Sequence, residues 1–136
     1  MIAYVSGSIV SIHSDCVVVD NQGIGYRIFT PDPFVFKQGE TAILYTYHHV
    51  REDAIVLFGF VDTNSLDLFT QLITVKGLGP KTGMNIMAKV RYKTLIEAIE
   101  GADAPFLKTL PGVGPKMAAQ IILDLKGKLV SSASVI

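Results

Sequence analysis

The chain has 136 residues, 49% of them hydrophobic and 18% charged, with a mean hydropathy of +0.42, so it can bury a core of ordinary domain size and is not mainly disordered. Twelve basic side chains balance twelve acidic ones, but residues 1–63 carry three basic against seven acidic while residues 64–136 carry nine against five. A single cysteine, Cys16, excludes a disulfide framework and any metal site built from several thiolates. No run approaches about 18 apolar residues and the first residues lack a secretory pattern, so a cytoplasmic chain with no membrane partner is expected.

Residues 2–12 are rich in β-branched and aromatic side chains and predict a strand, with Gly7 in mid-run as the expected bulge or bend. Residues 16–20 predict a second strand, in which Cys16 is a small buried hydrophobe beside Val17, Val18 and Val19. Asn21-Gln22-Gly23 is turn chemistry, residues 24–30 resume the strand pattern, and Pro31-Asp32-Pro33 breaks it. Residues 41–50 and 54–60 flank Arg51-Glu52-Asp53, a polar interruption that reads as a hairpin tip. Five short strands with regularly spaced turns suggest a small closed sheet of OB type.

From Asn64 the period changes to that of a helix, with Leu66, Phe69, Leu72 and Ile73 on one face and Asn64 or Ser65 as N-cap. Helices are predicted over residues 80–90, 92–99, 103–110 and 115–129, separated at Gly101 and at the Gly77, Gly79, Gly112 and Gly114 turns. Residues 131–136 are small and polar and read as the start of a flexible linker. The fold class is therefore α+β: a five-stranded OB-fold barrel over residues 1–63, then an all-α domain over residues 64–130.

The second half repeats itself. Thr74-Val75-Lys76-Gly77-Leu78-Gly79-Pro80-Lys81 matches Thr109-Leu110-Pro111-Gly112-Val113-Gly114-Pro115-Lys116 at an offset of 35, and Leu72, Ile86 and Met87 fall on Leu107, Ile121 and Ile122. The unit is helix, Gly-hydrophobic-Gly hairpin, helix, written twice. Its glycines permit a tight connection, Leu78 and Val113 point inward, and Pro80 and Pro115 suit a first helical turn. The open N–H groups at the start of each second helix, together with Lys81 or Lys116, make a phosphate site that cannot tell one base from another. Sequence-independent DNA binding follows, and the basic second half is where it is expected. The P-loop spacing fails, because Pro80 separates Gly79 from Lys81.

The double hairpin behind a small barrel, with Met1-Ile2-Ala3-Tyr4-Val5-Ser6-Gly7 and the run from Val50-Arg51-Glu52-Asp53-Ala54 to Leu57-Phe58-Gly59-Phe60, closely resembles the RuvA family over residues 1 to about 129. These are the Holliday-junction-binding subunits of the bacterial branch-migration machinery, acting in homologous recombination and DNA repair. The resemblance implies a homotetramer on an open four-way junction, one tetramer or two, with Gly77, Leu78, Gly79, Lys81, Thr82, Gly112, Val113, Gly114 and Lys116 as phosphate-binding positions. It also implies that Glu52 and Asp53 form an acidic pin near the crossover, where carboxylates repel phosphates. Spacing alone would make them a solvated hairpin tip. Family subunits recruit the RuvB ATPase through a further C-terminal domain on a tether; this sequence stops where the tether begins, so RuvB binding is not expected of it. The second hairpin departs from the family's usual Lys-Lys-Thr with Pro115-Lys116-Met117, and weaker phosphate binding is expected there.

Other residues carry less. Lys89, Arg91 and Lys93 could touch phosphate or be a solvated helix end; Lys126 and Lys128 suit the C-terminal end of the last helix dipole. His48 and His49 read as a strand-end pair without metal-ligand spacing, and Tyr45, Tyr47, Phe58 and Phe60 suit core packing or subunit contact. Asp124 reads as surface-exposed. No catalytic residue, metal or cofactor is expected. Two other readings stay open: a fragment of a helix-hairpin-helix glycosylase or nuclease, and an oligomerisation module whose hairpins only join helices.

Overall fold

The computed structural model describes residues 1–129; residue 130 and the expected linker, residues 131–136, lie outside the described residues. The chain divides into two compact units, Met1–Leu66 and the segment from Asp67 onward.

The first unit is a closed five-stranded barrel of β1 (Tyr4–Ile12), β2 (Cys16–Asn21), β3 (Ile24–Phe29), β4 (Thr41–Arg51) and β5 (Ala54–Phe60), hydrogen-bonded in the order β1-β2-β3-β5-β4. The order and closure are those of the expected OB-fold barrel. All pairs are antiparallel except β3 with β5, which meet in parallel at Ile28↔Leu57 and Phe29↔Phe58. Alternation puts Val5, Ile9, Val17, Val19, Ile28, Leu44 and Leu57 inside. Cys16 is buried at 5% exposure, and burial first, then the hydrogen bond to Asp15, pushes its thiol pKa up, as an inert core cysteine requires.

Two glycines sit where another strand comes too close for a side chain. The register slip in β1 falls between Ile9 and Ser11, not at Gly7; Gly7 is where the backbone of Asp20 comes so close that any Cβ would strike its carbonyl oxygen. At Gly59, paired with Thr46, a Cβ would run into Ile28 Cγ2 on the neighbouring strand β3. The β2–β3 connection uses positive φ at Gln22 (52°) and Gly23 (91°), the primed turn that follows strand twist.

A one-turn 3-10 helix, Pro33–Val35, precedes β4 and is capped by Asp32 Oδ1, which accepts from the Phe34 amide. Helix α1 (Thr63–Leu72) starts earlier than expected, because Asp62 Oδ1 accepts from the Ser65 amide at 2.7 Å and so is the N-cap in place of Asn64 or Ser65. Helices α2 (Pro80–Lys89) and α3 (Tyr92–Glu100) match expectation within one residue. Helix α4 (Ala104–Leu107) is one turn, shorter than residues 103–110, because the chain must leave it to form the next hairpin; Asp103 caps it by accepting from the Phe106 amide. Helix α5 (Pro115–Leu125) stops four residues short of the expected end. Gly127 takes φ +80°, and its amide donates to both Glu100 carboxylate oxygens at 2.9 and 3.1 Å, which turns the chain away. Lys126 and Lys128 therefore lie past the helix rather than in its last turn.

The helical core is built from repeat-equivalent residues: Leu72 with Leu107, Val75 with Leu110, Leu78 with Val113, and Ile86 with Ile121, all buried. Each fully buried Leu or Ile contributes about 1.5–3 kcal/mol relative to exposure. The duplication is imperfect where volume must balance: buried Gly83 lies under the Phe69 ring, and the second repeat carries Ala104 and Ala118 at those places.

Replacing Gly59 with Ala is expected to lower barrel stability by about 1–3 kcal/mol through overpacking against Ile28, read as an earlier urea midpoint; an unchanged midpoint would contradict the close approach.

Candidate nucleic-acid interface

Each hairpin begins as a four-residue turn. The Leu78 amide donates to the Val75 carbonyl at 3.0 Å around Lys76-Gly77, and the Val113 amide to the Leu110 carbonyl at 3.1 Å around Pro111-Gly112. Gly77 and Gly112 occupy the third place with φ +87° and +73°, as a type II turn demands, and Pro111 occupies the second, where its ring presets φ. Upstream, Thr74 Oγ1 donates to Gln71 O and Thr109 Oγ1 to Phe106 O, both at 2.6 Å. The bonds correspond one for one at the offset of 35.

After the turn, Leu78 and Val113 are buried at 4% and 5% exposure and anchor each hairpin to the core. Gly79 and Gly114 are the N-caps, both extended (φ −91° and −92°) and neither with a side-chain cap bond. Proline follows at the first helical position and brings no N–H. The first rung of each helical ladder is Gly83 N to Gly79 O at 3.0 Å and Ala118 N to Gly114 O at 2.9 Å. The amides of Lys81 and Thr82, and those of Lys116 and Met117, therefore lie ahead of the ladder at the positive end of the helix dipole. Lys81 and Lys116 are exposed beside them. Two such ends can each hold an oxyanion through backbone donors, which is shape recognition of a phosphate rather than of a base.

The two hairpins are cross-packed. A Cβ on Gly77 would lie 3.5 Å from Met117 Cε, and one on Gly112 would lie 3.1 Å from Thr82 Cγ2. The third residue of each following helix thus covers the opposite hairpin's glycine. Met117 is accordingly half-buried packing, and Thr82 turns its methyl toward Gly112. Between them runs a groove of about 510 Å³ lined by Lys76, Gly77, Gly114, Lys116, Met117 and Gln120, with Pro115 on its wall.

Asp124 departs from expectation. It is half-buried, and its carboxylate accepts from Gln120 Nε2 at 2.9 Å and from the Lys76 amide at 3.2 Å. The Gln120 hydrogen bond first, then the Lys76 amide, with the Lys128 and Lys76 charges adding, hold its carboxyl below the usual carboxylate range. Sequence reasoning missed it; the only signal was Pro111 standing where the first repeat has Lys76.

Glu52 and Asp53 form the exposed two-residue tip of the β4–β5 hairpin, closed by the pair Arg51↔Ala54 and standing on the exposed apolar pair Val50↔Ile55. Behind the tip, the His49 ring lies tilted against Tyr47 (centroids 5.7 Å) and meets Phe58 edge-on (6.1 Å), which accounts for one of the pair His48 and His49. Among the described residues no group of three or more His, Cys, Asp or Glu could hold a metal ion, and no helix is long and apolar enough to cross a membrane.

Comparison with known proteins agrees with this division. The profile of the RuvA N terminal domain matches residues 1–59, and that of a SAM-like helix-hairpin-helix tandem matches residues 69–127. A Holliday junction branch migration complex subunit RuvA from Oceanobacillus iheyensis is 50% identical over 99% of this chain and 68% of its own length. The chain belongs to the RuvA family. The subunit of the same name from Acholeplasma laidlawii is 47% identical over 96% of this chain and 70% of its own, and that from Bacillus velezensis 47% over 95% and 64%. The chain thus spans about two-thirds of the length of these relatives. Within the family match, the acidic tip falls in the first profile and both hairpins in the second.

Alanine at Gly77 or Gly112 is expected to destabilise the helical unit by about 1 kcal/mol or more, since neither positive φ suits an L side chain. The Gly112 change should cost more, because Thr82 must also give way; equal urea midpoints for the two variants would contradict the cross-packing. Because the Asp124 carboxyl is held low, the Lys76 bond should be fully present above the ordinary aspartate value of about 3.9 and be lost only as pH falls through the lower folded value. The Lys76 amide proton resonance, followed by NMR in acid, should move there; movement at the ordinary value would contradict the bond.

Proposed function

We propose that this chain binds Holliday junction DNA by shape, independently of base sequence, as the junction-holding subunit of a branch-migration complex. The observation that carries the reading is the repetition at an offset of 35, with the same turn, threonine and first-rung bonds, of two hairpins that each expose backbone amides and a lysine, in a chain of this family. On this reading the amides of Gly79, Lys81 and Thr82 and of Gly114, Lys116 and Met117 take phosphate oxygens, Gly77 and Gly112 shape the turns, and Leu78 and Val113 hold them to the core. Lys81 and Lys116 add charge that releases counterions, so affinity falls steeply with salt.

The working unit we infer is a homotetramer formed through the barrel. Exposed Tyr4, Phe34, Val35, Val50 and Ile55 favour it, because a monomer gains nothing by leaving such side chains in water. Glu52 and Asp53 then act as pins. Adjacent carboxylates on a two-residue tip repel phosphates and disfavour a continuous duplex across the centre.

Reversing charge at both sites, Lys81→Glu with Lys116→Glu, is expected to weaken four-way junction binding by roughly 100-fold or more, at about 1.5–3 kcal/mol per charge-assisted contact, and to flatten its salt dependence. Mobility shifts on junction DNA from about 50 to 200 mM salt check this, and unchanged binding overturns the phosphate sites. Glu52→Ala with Asp53→Ala should raise affinity for linear duplex; no change there refutes the pin.

A further inference from the structure

We propose that Asp124 is a positioning residue for the first hairpin: by holding the Lys76 amide it sets the turn that aims the Gly79 end of α2, the task Pro111 performs covalently in the second hairpin. The inference rests on the phosphate-binding reading of the hairpins given above. Lys76 and Pro111 occupy equivalent places, the second residue of a turn whose third residue is a glycine at positive φ. Proline is favoured there because its ring fixes φ and no N–H has to find a partner. Lysine has neither property. Its φ is free to rotate and its N–H needs an acceptor, and Asp124 Oδ2 supplies one at 3.2 Å from another helix.

The carboxylate is itself held. Gln120, one turn earlier on α5, donates to Asp124 Oδ1 at 2.9 Å and fixes the rotamer that presents Oδ2 to Lys76. Met117, a further turn toward the start of α5, lies against Gly77. One helix therefore carries the second phosphate site at its N-terminal end and two braces of the first hairpin along its length. The separation of the two sites is set by α5, and phosphate spacing along a DNA strand is equally fixed. A brace that lets one hairpin tilt costs affinity without removing any phosphate contact group.

Charge gives this proposal a sign. Were Asp124 only a surface carboxylate, removing it would make the unit more positive and tighten DNA binding. The brace predicts the opposite: Asp124→Ala should weaken junction binding about tenfold, the worth of a hydrogen bond to a charged group, with an unaltered salt slope and faster exchange of the Lys76 amide. Asp124→Asn, which keeps an acceptor for Lys76 and can pair with a flipped Gln120 amide, should restore binding to at least the native level. In a Lys76→Pro background, where the ring does the work and the N–H is gone, Asp124→Ala should cause no loss. Native or tighter binding by Asp124→Ala, or the same loss in the Lys76→Pro background, overturns the proposal. Should Asp124→Ala not fold, comparing Lys76→Pro with and without Asp124→Ala still decides it, since the brace requires the doubly substituted protein to fold and bind like the singly substituted one. Lys81→Glu measured alongside separates the two readings: if it binds like the native chain, the phosphate reading has failed, and Lys76 amide exchange alone then judges the brace.

Discussion

Everything in the helical unit depends on a pair of backbone amides left outside the hydrogen-bond ladder at the start of a helix. An α-helix cannot satisfy its own first N–H groups, and most helices spend a Ser, Thr or Asp side chain on them. At α1 and α4 this chain does so, with Asp62 and Asp103. At α2 and α5 it does not: glycine caps both, proline follows, and no side-chain bond closes either end. The start of α3 is also without a side-chain cap bond and has exposed Lys93 at its second position, so what sets α2 and α5 apart is the glycine cap, the proline after it and the glycine turn ahead of it.

Leaving donors open is useful only if they stay in place. Buried Leu78 and Val113 tie each hairpin to the core, the type II turns fix its direction, and Thr82 and Met117 each cover the other hairpin's glycine. Met117 and Thr82 hold equivalent places in the two repeats, and the Met117 Cε lies against Gly77 as the Thr82 methyl lies against Gly112. The first hairpin lacks the proline that stiffens the second, and Asp124 stands in for it from α5.

Much of this was legible in the sequence. Period-two runs and turn residues gave five strands at nearly their observed limits, and the offset of 35 located both hairpins because glycine and proline are each required for a local backbone reason, with an exposed lysine recurring beside them. What the sequence hid was set by distant parts of the chain. Gly7 read as a bulge because a lone glycine in a strand usually is one, yet the constraint comes from Asp20 on the neighbouring strand. The last helix read through to residue 129 because apolar period continues, while the Glu100 carboxylate captures the Gly127 amide and ends it. Asp124 read as a surface residue because its partner, a backbone N–H 48 positions away, has no signature in side-chain chemistry.

The barrel contributes a different physics: an acidic two-residue tip on a stiff hairpin and an outer surface with unpartnered apolar side chains, in the half of the chain where acidic residues outnumber basic ones. On the proposed function, the basic helical unit attracts a polyanion and the acidic tip of the barrel repels it. The account's central claim, that open helix-start amides grip phosphate, is tested most directly by titrating synthetic four-way junction DNA into isotope-labelled protein and following backbone amide resonances. The amides of Gly79, Lys81 and Thr82 and of Gly114, Lys116 and Met117 should shift downfield together, as donors engaging an anion do. Shifts confined to lysine side chains, with these amides unmoved, would contradict it.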